Sequence, residues 1–176
     1  VIPTVVDSEL WTPAPSASEL PVRLVWIGSP STLRYLEAWG PVLSRLGARH
    51  SGLELHVIGA TLVLPGLRCV SHAWSASTER PLAQRCHIGL APLGDGDWEH
   101  GKCGLKLLLY MALGLPAVAT RAGVHPDIVT AGEDGELIDG DDALEAALDR
   151  LVLDATRRAK LGRAARATLE RRYSLH

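Results

Sequence analysis

Short apolar runs, each closed by a glycine or a polar turn, alternate along this chain with stretches whose apolar positions recur every three or four residues. Residues 23–28 (RLVWIG), 53–59 (LELHVIG), 67–71, 88–93, 116–120 (PAVAT) and 136–139 carry the pattern of short buried strands. Helical spacing falls between them. Ser31 or Thr32 can cap a helix running to about Arg49, and further helices are expected at 78–85, 105–113, 125–130 and about 156–173. Residues 1–21 (VIPTVVDSELWTPAPSASELP) differ: a strand-like start gives way to a Pro/Ser/Ala stretch, so 1–20 reads as a linker and 21–176 as one domain. No internal repeat is visible.

Strands that alternate with helices predict an α/β fold with a parallel sheet covered on both faces, a Rossmann-like doubly wound arrangement. Ligands of such sheets sit beyond the carboxyl ends of the strands. That rule points to the loops after Gly28, Gly59, Leu93 and Thr120.

Composition narrows the reading. Hydrophobic residues at 47% and charged residues at 22% are globular usage, and 176 residues suffice for one domain with a real core. Eighteen basic against 20 acidic side chains give a net charge of -2, which supplies no general attraction for nucleic acid. Cys69, Cys86 and Cys103 are an odd number without a CxxC pair, which predicts reduced thiols and a cytoplasmic location. The N-terminus lacks the charged-then-apolar pattern of a signal peptide. The chain opens on Val1 with an apolar run already in progress, so it is expected to continue a longer polypeptide.

Charge is uneven along the chain. Residues 155–176 hold seven basic side chains and one acid, Glu170. Such a helix can touch an acidic partner or make a weak peripheral membrane contact, or it can be a solvated face docked through Leu161, Ala165 and Leu169. The small residues of its apolar side favour the docked reading.

Candidate chemistry is densest in residues 92–120. A strand ends, a glycine-rich polar loop follows, and a helix opens near Gly101-Lys102-Cys103-Gly104. Free N–H groups and the positive end of the dipole make such a start an anion site. Lys102 and Lys106, four apart, share one helix face, and Gly104 lets a phosphate approach the backbone. The plainer reading is a solvated loop with two surface lysines. Asp95-Gly96-Asp97 offers an Asp-x-Asp that can hold a divalent metal, although Gly and Asp are also ordinary turn residues. His100, Cys103 and His125 lack the four-ligand spacing of a structural zinc site.

The turn Gly28-Ser29-Pro30-Ser31-Thr32 is neither the dinucleotide fingerprint nor a P-loop, and no nucleophile elbow is present. Trp74 and Ser75 follow the run 67–71, where the indole can stack on a planar base or pack as a structural side chain.

Taken together, VWIGSPSTLRYL (25–36), WSAST (74–78), WEHGKCGLKLLLYMALGLPAVAT (98–120), AGVHPDIVTAGEDGELI (122–138) and the closing RRYSLH resemble the C-terminal half of a family 4 retaining glycosyltransferase. The likeness covers nearly the whole chain, with 106–120 as its most specific block. It implies one half of a GT-B architecture, with a missing N-terminal domain as partner. It also implies a nucleotide diphosphate sugar as the substrate, and no metal or other cofactor. The donor diphosphate maps onto Gly28, Ser29, Lys102, Cys103, Gly104 and Lys106, with Arg34 as the assisting basic residue. Trp74, Ser75 and Glu99 map toward the donor's base or sugar. Many members carry two glutamates eight apart. This chain has Gly101 and Leu109 at those places, with Glu99 as the nearest carboxylate. That departure leaves two alternatives open, a binding-only module and a GT-B-like nucleotide-sugar epimerase.

Overall fold

The fold was analysed in a computed structural model that describes residues 4–14 and 20–176. Six parallel strands form its sheet: β1 (Val22–Ile27), β2 (Leu53–Ile58), β3 (Arg68–His72), β4 (Ile88–Ala91), β5 (Ala117–Thr120) and β6 (Gly135–Ile138). Their order is β3-β2-β1-β4-β5-β6, so the chain reverses direction across the sheet between β1 and β4. The expected doubly wound α/β fold is therefore present. Central β4 is buried at every position, whereas edge strand β3 exposes Arg68 and Ser71, which blunts the edge against further pairing.

Helices cover both faces: α1 (Leu33–Ala38), α2 (Gly40–Arg49), α3 (Glu79–Ala83), α4 (Asp97–His100), α5 (Leu105–Ala112), α6 (His125–Ile128), α7 (Asp141–Leu153) and α8 (Ala155–Arg172). Alternation along β1 divides the core. Leu24 and Trp26 pack with Leu43, Leu46, Leu144 and Leu148 of α2 and α7, while Val25 and Ile27 pack with Leu107, Met111, Ala165 and Leu169 of α5 and α8. Among the described residues no helix is long and apolar enough to cross a membrane.

Three helical expectations need correction. The loop expected after residue 93 contains α4, and α5 opens only at Leu105 behind the left-handed Gly104, so Lys102 precedes the helix and does not share a helix face with Lys106. The helix expected from Ser31 or Thr32 to Arg49 is broken at Trp39, which ends α1 and caps α2. Pro41 has no N–H to donate to the preceding turn, so the helix restarts there with Pro in its first turn. Helix α7 has no counterpart among the expected helices. Its pattern is readable in retrospect, with Asp141 and Asp142 in the first turn and buried Leu144, Ala147, Leu148 and Leu151 at helical spacing. Arg45 and Arg49 of α2 reach Glu145 at 2.7 and 2.6 Å and fix how α7 lies on α2.

The basic tail docks as a helix through Leu161, Ala165 and Leu169, all buried. Arg166 donates to the carbonyls of Ser8, Trp11 and Ala112 at 2.8, 2.6 and 2.6 Å, so it holds residues 8–11 against α5 and α8. Val6 is buried, and its N–H donates to Tyr173. Part of the expected linker is thus packed on the domain; residues 1–3 and 15–19 lie outside the described residues.

Strands β1 and β4 pair only at Leu24↔Ile88 and Val25↔Gly89. Beyond that point the Tyr110 hydroxyl bridges them, accepting from the Ile27 N–H at 3.1 Å and donating to the Leu90 carbonyl at 3.2 Å. Gly89 makes room for it, since a Cβ there would fall 2.4 Å from the Tyr110 ring. Tyr110→Phe is expected to lower unfolding stability by about 1–3 kcal/mol, because it orphans a buried N–H. Urea unfolding measures this; an unchanged midpoint would show that the bridge contributes nothing.

Candidate functional site

The splayed ends of β1 and β4 open a cleft of about 260 Å³ at the carboxyl edge of the sheet. Its walls come from three places: the loop after β1, the loop and helix start after β4, and the start of α6 after β5. These are segments singled out by the switch-point rule.

The loop after β1 supplies Gly28, Ser29 and Thr32. Glycine is required at 28 because a Cβ there would lie 2.3 Å from the buried Trp26 ring. Gly59, at φ +96, lets the end of β2 close onto the Gly28 carbonyl. The Ser29 N–H is already used, donating to Thr32 Oγ1 at 3.1 Å.

The second wall is Lys102, Cys103, Gly104, Leu105 and Lys106. Gly104 adopts a left-handed φ of +71 and lies so close to α6 that a Cβ would meet Ile128 at 2.4 Å. That geometry starts α5 with its first-turn amides at the cleft. The Lys106 ammonium sits 4.8 Å from the centroid of the Trp26 ring, a cation–π contact. Burial, and secondarily the charge of Lys102, push Lys106 down to about 8. Beneath it the Trp26 Nε1 is buried with no hydrogen-bond partner among the described residues. The helix start is therefore cationic but partly desolvated, a setting in which an arriving anion gains more than it would at an open surface.

His125 opens α6 and forms part of the third wall. Its Nδ1 lies 2.9 Å from the Thr120 carbonyl, and burial holds its pKa below the ordinary histidine value. Thr120 Oγ1 in turn accepts the Leu93 N–H at 3.0 Å, tying the ends of β4 and β5 together.

Of the expected site residues, Gly28, Ser29, Lys102, Cys103, Gly104 and Lys106 line this one cleft. Arg34 does not. Its side chain is 65% exposed, and its guanidinium donates to the Tyr35 hydroxyl at 2.7 Å and lies 3.5 Å from Glu99. Glu99 is buried and also accepts from the Tyr35 hydroxyl, a bond that holds its carboxyl below the usual range. Arg34, Tyr35 and Glu99 thus form a cluster in which only Tyr35 reaches the cleft.

Trp74 and Ser75 follow β3, away from the cleft lining. Trp74 is 56% exposed, and its Cβ lies 3.4 Å from the place of a Cβ at Gly59. Ser75 spends its hydroxyl on Thr78 at 2.7 Å and Ser77 at 3.1 Å, shaping the entry to α3. Asp95 and Asp97 are exposed, and among the described residues no group of three or more His, Cys, Asp or Glu could hold a metal ion. The side chain of His100 lies outside the described residues.

Sequence reasoning did not find Tyr35 or Trp26 as parts of the site. It considered His125 only as a zinc ligand. Adjacent motifs gave no signal for the first two, whose roles come from distant partners, Glu99 lying 64 residues from Tyr35 and Lys106 far along the chain from Trp26.

A parallel sheet in this order, with a cationic helix start at its switch point, defines a Rossmann-like domain of the kind found in GT-B glycosyltransferases. The model of the family Glycosyl transferases group 1 matches residues 17–154, and the chain belongs to that family. No curated protein matches it significantly in sequence. Among solved structures, the C-terminal domain of a glycosyl transferase group 1 family protein from Francisella tularensis is similar at TM-score 0.73 and 17% identity, over 97% of this chain and 100% of that one. A glycosyltransferase from Rickettsia africae is similar at TM-score 0.77 and 15% identity, over 98% of this chain and 52% of that one. Anabaena HepE, solved with UDP and glucose, is similar at 0.75 and 16%, over 97% and 52%. At such identities the likeness establishes the fold. The chain spans about half the length of the latter two.

Proposed function

We propose that this chain is the donor-binding half of a retaining, family 4 glycosyltransferase, joined in the working enzyme to an N-terminal half that supplies the acceptor. The observation that carries the reading is the convergence of Lys102, Lys106 and the start of α5 with the Gly28–Ser29 loop on one cleft. A nucleoside diphosphate leaving group concentrates negative charge at one place. Fixed ammonium and amide donors there stabilise the departing diphosphate more than the bound sugar ester. The UDP in the Anabaena structure belongs to a similar fold and is in keeping with this assignment.

Titration calorimetry with UDP, GDP and ADP tests the reading. One of them is expected to bind, and Lys102→Ala to weaken it by about 1.5–3 kcal/mol, the range for hydrogen bonds to charged groups. No binding of any of them at millimolar concentration would sink the donor assignment. Because the positive charge comes from lysine and backbone, EDTA is expected to leave the affinity unchanged. Loss on chelation, restored by manganese and abolished in Asp97→Ala, would transfer the role to the Asp-x-Asp.

A second reading, a module that binds a nucleotide sugar without catalysis, is favoured by one observation. Gly101 and the buried Leu109 stand where many family members have glutamates, and the nearby Glu99 carboxylate is taken up by Tyr35 and Arg34.

A further inference from the structure

The diphosphate reading leaves one group in the cleft unused, the imidazole of His125. The residue is 5% exposed and lines the cleft with Lys102 and Lys106. A carbonyl oxygen can only accept, so the 2.9 Å contact with Thr120 places the hydrogen on Nδ1. In the neutral ring Nε2 then keeps its lone pair. Burial and the neighbouring Lys106 charge both favour that neutral ring. Lys102, Lys106 and the first-turn amides of α5 are donors, matched to phosphate oxygens. Nε2 is the opposite: it cannot bind a phosphate oxygen, because neither atom carries a hydrogen. Its partner must bring a hydrogen of its own.

Strand order indicates which part of a donor reaches it. The loops at the carboxyl edge follow one another as β3, β2, β1, β4, β5. Trp74 and Gly59, after β3 and β2, therefore lie on one side of the Gly28, Lys102 and Lys106 centre, and His125, after β5, lies on the other. A nucleotide sugar has its diphosphate in the middle. With the base toward the exposed Trp74 indole, the sugar extends toward His125.

Resting on the donor reading above, we infer that His125 Nε2 accepts a hydrogen bond from a hydroxyl of the sugar to be transferred, and so makes this pocket select a hydroxylated glycosyl group. A pocket built to pair a substrate hydroxyl discriminates against ligands that lack it, because its buried acceptor is otherwise left unpaired.

Two substitutions separate this role from a structural one. In His125→Asn the amide nitrogen can take over the bond to the Thr120 carbonyl, but nothing extends to the place of Nε2. In His125→Gln the longer side chain can return an oxygen to that place. The test is calorimetry on the 176-residue chain with the pairs UDP and UDP-glucose, GDP and GDP-mannose, and ADP and ADP-glucose, with thermal melts as a folding control. In the pair that binds, the readout is the ratio of the ester's affinity to that of the bare diphosphate, because the extra charge of the bare diphosphate lowers this ratio equally in wild type and variants. His125→Asn should lower the ratio about tenfold, or 1.4 kcal/mol, while its affinity for the bare diphosphate stays within about twofold, and His125→Gln should recover part of it. An unchanged ratio in His125→Asn, with both affinities kept or both weakened equally, overturns the assignment, although the donor reading then survives. If the wild-type chain binds no member of any pair, the donor reading fails and takes this assignment with it.

Discussion

The 176-residue chain on its own is expected to bind a nucleotide sugar and transfer nothing, with activity appearing only when an N-terminal half is joined to it or added in trans. Among the described residues, the cleft at the carboxyl edge is lined by the segments that follow β1, β4 and β5. The chain also spans about half of the Rickettsia and Anabaena chains it resembles. Holding donor and acceptor in one orientation is worth about 7–11 kcal/mol of barrier in favourable cases, and a single half cannot provide it. The expected gain on adding the second half is therefore many orders of magnitude. Sugar transfer to a panel of acceptors measures it. Turnover by the isolated chain at an ordinary enzyme rate, about 1 per second or more, would show that these residues hold a complete active site.

A second large effect is expected from Lys106. Its ammonium, half sunk against Trp26, loses its proton near pH 8 rather than near the ordinary 10.5. A bound diphosphate favours the charged form, so it raises that pKa and binding takes up protons when measured at about pH 8–9. Nucleotide affinity is accordingly expected to be greatest below pH 8 and to fall as pH rises through it. Calorimetry in buffers of different ionisation enthalpy reads the uptake directly, and Lys106→Met should abolish it while weakening binding by about 1.5–3 kcal/mol.

The same shift affects the unliganded fold in the opposite direction. With the folded pKa below the unfolded one, the unfolded chain binds more protons between about 8 and 10.5. The Lys106 contribution to stability therefore rises with pH across that window. At pH 7 Lys106→Met should stabilise the apo domain by an amount on the order of 2 kcal/mol, measured by urea unfolding. A destabilised variant, or an affinity flat from pH 7 to 9.5, would show that the ammonium is solvated after all.

Local pattern was enough for most of the architecture. Strand β1 is legible in RLVWIG and α5 in the block after Gly104, because burial on a sheet or along one helix stripe imposes periods that a short window of sequence records. The cationic wall of the cleft was legible only in part: Lys106 stands in the first turn of α5, as its place after Gly104 suggests, but Lys102 precedes that N-cap and joins the cleft through the loop, not through a shared helix face. Even α7, which was overlooked, carries its helical pattern in plain sight. What the sequence did not determine are properties that arise between strands. The Tyr110 bridge from Ile27 to Leu90 spans 83 and 20 residues, and the Tyr35–Glu99 bond spans 64. Lys106 is an ordinary lysine until Trp26 comes beneath it, and His125 an ordinary histidine until the Thr120 carbonyl fixes its tautomer beside the cleft. Protonation and hydrogen-bond polarity depend on neighbours within a few ångströms, and in a sheet ordered β3-β2-β1-β4-β5-β6 those neighbours are chosen by strand pairing, not by proximity along the chain.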